Sequence, residues 1–269
     1  MKYGPFVRNL GMVAVLLAVG LAPARGFAQD AAATPSFVRD GNLDLDAAVA
    51  YFEDLYRSTS SVADMELLVV TPRLERTLRM KCWTKGADKA LVVITEPVKE
   101  AGTATLKVDN NLWNYLPRIR RTMRIPPSMM LSPWMGSDFT NDDLVRESSF
   151  KKDYTYVLRG KSDDPPGWLV DFTAKPEVVG LWNRFELVVD ADGHIPLVAR
   201  YFDRKDRLAR VITWDQVQEL GGRRLPARMV LVPQDKEGQR TEMIYHAIQF
   251  NIDVPDDTFS LSRLESEGK

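Results

Sequence analysis

The side chains that most often carry catalysis are sparse in this sequence. Its 269 residues include two histidines, His194 and His246, and one cysteine, Cys82. No HExxH, HxH or CxxC spacing surrounds them, so the pattern predicts no metal site. A GxSxG elbow is absent, and Gly221-Gly222 lacks the GKS/T that follows a phosphate loop. We therefore expect no catalytic residue, no metal and no cofactor. Two carboxylates that are distant in the sequence can still meet in the fold and form a catalytic pair. A hydrolase of this kind is therefore the least favoured alternative.

The composition excludes several classes of protein. Hydrophobic residues make up 45% of the chain, and 36 Lys and Arg face 37 Asp and Glu. A chain with this apolar content and nearly equal numbers of positive and negative charges is not intrinsically disordered. It has no basic excess, which argues against a nucleic-acid binder. A single cysteine excludes a disulfide framework, and Cys82 is expected to be a small apolar filler in a strand.

One loop of the sequence is unusually apolar. The segment Pro126–Phe139 contains six large apolar side chains, which are Met129, Met130, Leu131, Trp134, Met135 and Phe139. Loops are normally polar because they lie in water. These side chains must therefore cover or bind something apolar, and methionine adapts to ligands of varied shape. Two interpretations stand: a movable lid over a ligand cavity, and a plug that fills the cavity permanently.

Just before this loop lies a basic cluster of four arginines, Arg118, Arg120, Arg121 and Arg124. The functional interpretation is a docking patch for an acidic partner or for anionic head groups. The structural alternative is the solvent face of one strand, with Ile119 and Met123 facing inward. The alternation of polar and apolar residues that a strand would show is broken at Arg120-Arg121, where two arginines are adjacent. This break predicts a bulge or a sheet edge.

The remaining elements must position these groups. Apolar residues at three- and four-residue spacing predict a helix over 43–57, with Asp44 as its N-cap. From Met65 onward, short β-rich runs alternate with turn signals and predict roughly ten to twelve strands. Residues 126–149 interrupt these strands. Within them, Thr140 is expected to cap a short helix over Asn141–Glu147. Hairpin-length joins demand an antiparallel meander, and a sheet this wide must curl. We expect one mainly β domain with a few helices, built on a single large curved antiparallel sheet. The helix and the loop cover its apolar concave face.

The N-terminus has the pattern of a secretory signal. Lys2 and Arg8 precede the uncharged run Leu10–Leu21, and Gly26-Phe27-Ala28 fits a cleavage site. No cysteine lies near that site, so we expect an unanchored protein of a Gram-negative periplasm; the alternative is an uncleaved membrane anchor. The expected organisation is a signal over residues 1–28, a flexible leader over 29–42, one domain over 43–264 and a tail over 265–269.

Two blocks of the sequence resemble a known family. They are Leu112-Trp113-Asn114-Tyr115-Leu116-Pro117 with the arginines after it, and Met135-Gly136-Ser137-Asp138-Phe139 with the residues up to Leu144. Together with Val254-Pro255-Asp256-Asp257-Thr258-Phe259 they are similar to the outer-membrane lipoprotein-sorting proteins, the LolA-like group. The resemblance covers about residues 45–264. It implies an incomplete antiparallel barrel around an apolar cavity with a helical lid, and a carrier of acyl chains instead of an enzyme.

The leading hypothesis is therefore a periplasmic carrier of lipid or acylated cargo. We expect its partners to be an inner-membrane permease of the RND/MMPL or ABC type and an outer-membrane acceptor, with no nucleic acid, and the protein to be a monomer. An alternative is a protein-binding sensor or accessory subunit of such a permease. The residues expected to line the cavity or lid are Trp113, Leu116, Met129, Met130, Leu131, Trp134, Met135 and Phe139, with Trp83 and Trp182 as weaker candidates.

Overall fold

The computed structural model describes residues 36–146, 150–178 and 182–267. The expected signal and its cleavage site at Ala28 lie outside these residues. The described helices are α1 (Leu45–Asp54), α2 (Asn141–Arg146), α3 (Phe150–Asp153) and α4 (Leu261–Glu267). None of the helices in this part of the chain is long and apolar enough to cross a membrane.

Fifteen strands are described. They are β1 (Val38–Arg39), β2 (Asn42–Leu43), β3 (Ser60–Thr71), β4 (Leu74–Lys85), β5 (Lys89–Glu96), β6 (Ala104–Val108), β7 (Asn111–Leu116), β8 (Arg121–Arg124), β9 (Tyr154–Asp163), β10 (Pro166–Ala174), β11 (Arg184–Val189), β12 (Pro196–Phe202), β13 (Leu208–Leu220), β14 (Arg223–Pro233) and β15 (Arg240–Phe250). The first two form a small hairpin, so the segment expected to be a flexible leader contains paired strands from Val38 onward.

The other thirteen strands form one antiparallel sheet in the order β8-β7-β6-β5-β4-β3-β15-β14-β13-β12-β11-β10-β9. Two meanders, β3–β8 and β9–β15, are joined where β15 pairs with β3. The sheet is not closed, because β8 and β9 are its two edges. The predicted fold class is thus confirmed: mainly β, with one open antiparallel half-barrel and a few helices.

The apolar core lies on one face of this sheet. Along β3, Ala63, Met65, Leu67 and Val69 are buried at every second position, as expected for a strand with one covered face. Residues of both meanders contribute to the same core cluster. A thirteen-stranded sheet can bring its distant strands into one cluster only by curling around it.

Tight turns set the register of the meander. Gly221 and Gly222 join β13 to β14 with φ angles of +59° and +76°, values that glycine adopts without steric cost. A Cβ atom at Gly221 would lie 2.6 Å from the carbonyl oxygen of Ile248, so this turn also requires glycine for close approach. The predicted hairpin at this position is confirmed.

The sheet edge at β8 differs in detail from the prediction. Pro117 begins a single 3-10 turn, Pro117–Ile119, and the strand starts only at Arg121. Arg120 has a φ of +48°, which breaks the alternation that an extended strand would show. The expectation that Ile119 faces inward is wrong, because 62% of its surface is exposed. The predicted edge is confirmed, since β8 has only one neighbour in the sheet.

Helix α1 begins as predicted, because Asp44 accepts a hydrogen bond of 3.2 Å from the backbone N–H of Ala47. A second apolar cluster lies away from the main core, where Leu264 of α4 and Phe259 pack with Leu91, Leu106 and Tyr115. Helix α4 thus covers β5–β7 and continues through Glu267, beyond the expected boundary at 264.

Candidate functional site

The connection between β8 and β9 joins the two edges of the sheet. It contains the 3-10 turns Pro127–Met129 and Trp134–Gly136, followed by α2 and α3. Because the edges are the two ends of the strand order, this connection must pass from one side of the open barrel to the other. We call its described residues 126–146 and 150–153 the lid. The predicted cap of α2 is present, since the N–H of Asp143 donates to Oγ1 of Thr140 over 3.2 Å.

Hydrogen bonds fasten the lid to separate strands. The indole N–H of Trp134 donates to Oγ1 of Thr105 on β6 over 3.1 Å. The backbone N–H of Asp138 donates to Oγ1 of Thr241 on β15, whose hydroxyl in turn donates to the Asp138 carboxylate, at 3.0 and 2.9 Å. The guanidinium of Arg76 on β4 donates to the carbonyl of Met135. The lid is therefore seated at several points and is not a free loop.

Beneath the lid lies a cavity of about 210 Å³. Strands of both meanders form its wall, including Met65, Met80, Val92, Ile212, Met229 and Met243. Helix α1 contributes Phe52, and the segment that follows it contributes Leu55 and Tyr56, while the lid contributes Trp134, Phe139, Leu144 and Phe150. The sole cysteine, Cys82, also faces this cavity.

An aromatic cluster supports one wall of the cavity, and its members Phe150, Phe185 and Tyr201 belong to the lining. The rings of Phe172 and Phe185 stack at 4.3 Å between centroids, and Tyr201 stacks on Phe185 at 4.9 Å. Phe150 of α3 meets both phenylalanines at a tilt. Stacked and tilted aromatic pairs add stability beyond the area they bury. This wall therefore gives the cavity a firm side against which lid residues pack.

A buried ion pair stands in this apolar setting. The two terminal nitrogens of Arg210 donate to the carboxylate oxygens of Asp143 over 2.7 and 2.8 Å. Burial alone would raise the pKa of Asp143, but the charge and hydrogen bonds of Arg210 outweigh it and hold that pKa below its usual value. Burial would likewise lower the pKa of Arg210, and Asp143 reverses this effect and raises it. Both groups are therefore charged at neutral pH.

Three further charged groups line the cavity, and all are buried: Arg57, Lys107 and Asp142. The ammonium group of Lys107 donates to the carbonyl oxygens of Ala87 and Val145, at 2.7 and 3.0 Å. Lys107 thus provides another tie between β6 and the end of α2. The cavity is mainly apolar, with charged groups fixed at defined positions in its wall.

Three of the residues expected at the cavity are found in its lining: Trp134, Phe139 and Trp182. Trp134 is almost fully buried, and 8% of the surface of Phe139 is exposed. They belong to the lid and to the segment before β11, so the structure brings together groups that lie far apart in the sequence.

Trp83 and Trp113 lie on the opposite face of the sheet. Cys82 and Thr84, the neighbours of Trp83 on β4, and Leu112, the neighbour of Trp113 on β7, all line the cavity. Successive side chains of a strand point to opposite faces. Both tryptophans accordingly pack against the second apolar cluster, under the C-terminal segment.

The other expected residues lie at the margin. Met129 and Leu131 are exposed, with 48% and 50% of their surfaces accessible, and Met130 is half-buried. Met135 packs against the main core without lining the cavity. Leu116 lines a separate shallow cleft with Pro117 and Ile119. The structure therefore divides the apolar loop into an inner part, Trp134 and Phe139, and an outer part.

The four arginines of the basic cluster are all exposed. Arg118 and Arg120 belong to the turn before β8, and Arg121 and Arg124 lie on that edge strand. The guanidinium of Arg124 donates to the side-chain carbonyl of Asn111 on β7. The cluster thus occupies one edge of the half-barrel, beside the start of the lid.

Neither histidine lines the cavity. His246 is half-exposed on β15, with Nε2 at 3.4 Å from the carboxylate of Glu66. His194 is buried in the turn before β12, where its possible ligand atoms and those of Asp190 and Asp192 lie within 4.8 Å of one another. Oδ1 of Asp190 accepts the backbone N–H groups of His194 and Ile195, an arrangement that stabilises the hairpin itself.

The sequence analysis missed the Arg210–Asp143 pair. A signal was available, because Arg210, Ile212 and Trp214 alternate along β13 and all three line the cavity. A charged residue at an inward position of an apolar strand indicates a buried partner or a ligand. The partner, Asp143, comes from the lid and could not be paired with Arg210 from spacing alone.

Comparisons with known proteins agree with this architecture. A family model described as an uncharacterized protein matches residues 86–266. A search of curated proteins gives no match. A solved structure of a DUF1329 family protein from Desulfovibrio piger is 24% identical, with a TM-score of 0.71 over 82% of this chain and 98% of that chain.

Two further solved structures are similar. A LolA superfamily protein from Nitrosomonas europaea is 21% identical, with a TM-score of 0.69 over 82% of this chain and 100% of that chain. A putative outer membrane lipoprotein-sorting protein domain from Vibrio parahaemolyticus is 20% identical, with a TM-score of 0.67 over 81% and 97%. At these identities the likeness shows a shared fold, and it confirms the LolA-like resemblance expected from the sequence.

Proposed function

We propose that this chain, which belongs to the family whose model matches residues 86–266 and has the LolA-like fold, is a carrier that binds acyl chains beneath its lid. Its cargo would be a lipid or an acylated molecule, handed to or from a membrane export system. The observation that carries this proposal is the apolar cavity under a connection that joins the two edges of the sheet.

The size of the cavity bears on how cargo would enter. At about 210 Å³ it is smaller than typical ligand sites, which measure roughly 300–1,000 Å³. An acyl chain therefore requires the lid, or side chains such as Trp134 and Phe139, to move. We propose a movable lid over a permanent plug, because Trp134 and Phe139 could fill the space when no ligand is bound and yield it to an acyl chain.

Binding without catalysis is the simpler use of this site. Both histidines lie away from the cavity; in its wall, Arg210 and Asp143 pair with each other, and Lys107 donates to backbone carbonyls. A cavity lined by methionine and aromatic side chains suits flexible hydrocarbon chains, because methionine adapts its shape. We propose that the protein acts as a monomer, without a cofactor.

The proposed location follows from the N-terminal sequence. Cleavage near Ala28 would release one domain into the periplasm of a Gram-negative cell. There it would meet an inner-membrane permease of the RND/MMPL or ABC type and an outer-membrane acceptor. The family resemblance and the signal-like pattern support this placement.

The direct test is to look for bound lipid. The full chain, expressed with its own N-terminus and purified from the periplasm, is analysed by native mass spectrometry and by lipid extraction. We expect an acylated ligand in the native spectrum, and displacement of a fluorescent fatty-acid probe by that ligand. Protein that carries no lipid and binds no probe would contradict the carrier function.

Cys82 provides a built-in reporter of cavity occupation. It is the only cysteine of the chain and lines the cavity. Reaction of its thiol with a small thiol reagent should be slow, and slower still when an acyl ligand fills the cavity. A Cys82→Ala variant gives the background rate. Equal reaction rates with and without saturating ligand would indicate that the ligand binds elsewhere.

A second candidate function is docking of a protein partner at the sheet edge. Strand β8 has a free edge, and an extended peptide can add to such an edge by backbone hydrogen bonds. The exposed arginines of the basic cluster would favour an acidic segment. Binding of the periplasmic domain of a co-encoded permease to protein with an empty cavity would favour this sensor or accessory role.

A further inference from the structure

Arg210 is the most unusual residue of the cavity wall. It lies on the same face of β13 as Ile212 and Trp214, and only 4% of its surface is exposed. Its guanidinium lies 4.3 Å from the ring centre of Trp182 and 4.4 Å from that of Tyr201. Two aromatic rings and an ion pair hold this group in one position, so its remaining donors have a fixed direction.

One nitrogen of this guanidinium has no acceptor in the part of the chain that the structure describes. The terminal nitrogens Nη1 and Nη2 both donate to Asp143, whereas Nε has no hydrogen-bond partner among the residues that the structure describes. Buried donors are nearly always satisfied, and those left over in a native structure call for an explanation. In the wall of a ligand cavity, an acceptor supplied by the ligand is such an explanation.

The local charges indicate what kind of acceptor fits. The carboxylate of Asp143 already balances Arg210, and Asp142 is buried in the same wall. A second carboxylate beside Asp143 would be desolvated and repelled. Lys107, another cation of the lining, is already engaged by the carbonyl oxygens of Ala87 and Val145. A neutral carbonyl oxygen can accept from Nε without either cost.

We propose that the Nε–H of Arg210 anchors the carbonyl oxygen through which an acyl chain is esterified or amidated to its carrier molecule. Arg210 would thus select attached acyl groups over free fatty acids and over hydrocarbon without a carbonyl. This inference rests on the proposed acyl-binding function and names the substrate class of that site. Asp143 positions the guanidinium and also keeps an anionic head group away from it.

The test compares three ligands that share one hydrocarbon chain. Methyl palmitate, palmitate and methyl hexadecyl ether each displace a fluorescent acyl probe from the full processed protein. Because a hydrogen bond to a charged group strengthens binding about tenfold or more, methyl palmitate should displace the probe at correspondingly lower concentration than the ether. Palmitate, measured at neutral pH, should bind more weakly than the ester.

Paired variants assign the effect to Arg210. Replacing both partners, R210M with D143L, removes the donor without leaving a buried unpaired charge. This variant should lose the preference for the ester over the ether, whatever its affinity for the ether. The matched control, R228M with D215L, removes a bidentate pair of strands β13 and β14 that is not in the cavity lining and should keep that preference.

The outcomes separate this inference from the proposed function. If none of the three ligands displaces the probe, the acyl-binding function itself is wrong. If the ester and the ether bind equally, or the preference survives in the R210M/D143L variant, acyl binding stands and the role of Arg210 is overturned. Tighter binding of palmitate than of the ester would also overturn it, in favour of an anionic head group.

Discussion

The carboxylate of Asp143 accepts both terminal nitrogens of Arg210, at 2.7 and 2.8 Å, and so joins helix α2 of the lid to strand β13. This contact crosses from the connection between the sheet edges to the inner wall of the half-barrel. It is an ion pair in the wall of a mainly apolar cavity, and the Arg210 side chain is almost fully buried. Stability and lid closure therefore depend on the same two side chains.

Removing one member of the pair should destabilise the protein strongly. In an Asp143→Ala variant, the Arg210 guanidinium remains buried without its counter-charge, which typically costs about 3–5 kcal/mol. Urea unfolding at neutral pH should show this loss. The R210M/D143L double variant should recover most of it, because apolar side chains can replace a buried pair. A double variant as unstable as the single one would contradict this account.

The pair also predicts a loss of stability in acid. The pKa of Asp143 lies below its ordinary value of 3.8 in the folded protein, although burial by itself would raise it. A carboxyl group with a lowered pKa contributes stability above its unfolded pKa and loses that contribution as the pH falls through its folded pKa. Wild-type stability should therefore decline below about pH 4 more steeply than that of the R210M/D143L variant. Parallel curves of unfolding free energy against pH would show that the pair is not the cause.

The sequence predicted the sheet and its cover because both depend on local patterns. Alternating strands and hairpin-length joins require an antiparallel meander, and the apolar segment Pro126–Phe139 had to cover something. Alternation could also have excluded Trp83 and Trp113, since Cys82, Thr84 and Leu112 carry the inward positions of their strands. Trp83 and Trp113 were predicted as cavity residues because they are large and aromatic. The alternation of side chains along their strands instead places both on the other face of the sheet.

Within the loop, no periodicity was available. Its backbone passes through two 3-10 turns, and Met135 has a φ of +50°. In an irregular backbone the side chains do not point in periodically repeating directions. Sequence spacing therefore cannot predict that Trp134 points inward while Met129 points to solvent. The pairing of Asp143 with Arg210 joins residues 67 positions apart, and only the folded chain defines it.

The inner and outer parts of the loop should respond differently to substitution. Trp134→Ala removes a buried side chain and its hydrogen bond to Thr105, which should cost about 3–5 kcal/mol in urea unfolding. The same change enlarges the cavity, so Cys82 should react faster with a thiol reagent. Met129→Ala, at an exposed position of the same loop, should change stability by less than about 0.5 kcal/mol. Similar losses in both variants would mean that the loop packs differently from the structure.

The basic cluster should act in docking and not in ligand binding. Its arginines, all exposed at the β8 edge, would attract an anionic surface through interactions that salt screens over about 10 Å at 0.1 M. Co-sedimentation with vesicles containing phosphatidylglycerol should be strong at low salt and fall as salt rises. Replacing the cluster by R118S, R120N, R121S and R124S should abolish this binding, while affinity for the acyl probe stays unchanged.

A charge-matched control tests whether position matters beyond net charge. It replaces four other exposed basic residues by serine: Arg39, Arg73, Lys205 and Arg224. Both variants lose four positive charges, but only the first removes the patch beside the lid, so the control should keep most of the vesicle binding. If both variants lose vesicle binding equally, the binding depends on the overall charge of the protein and not on the position of the basic cluster. Vesicle binding that the cluster variant retains would instead place the docking surface elsewhere on the half-barrel.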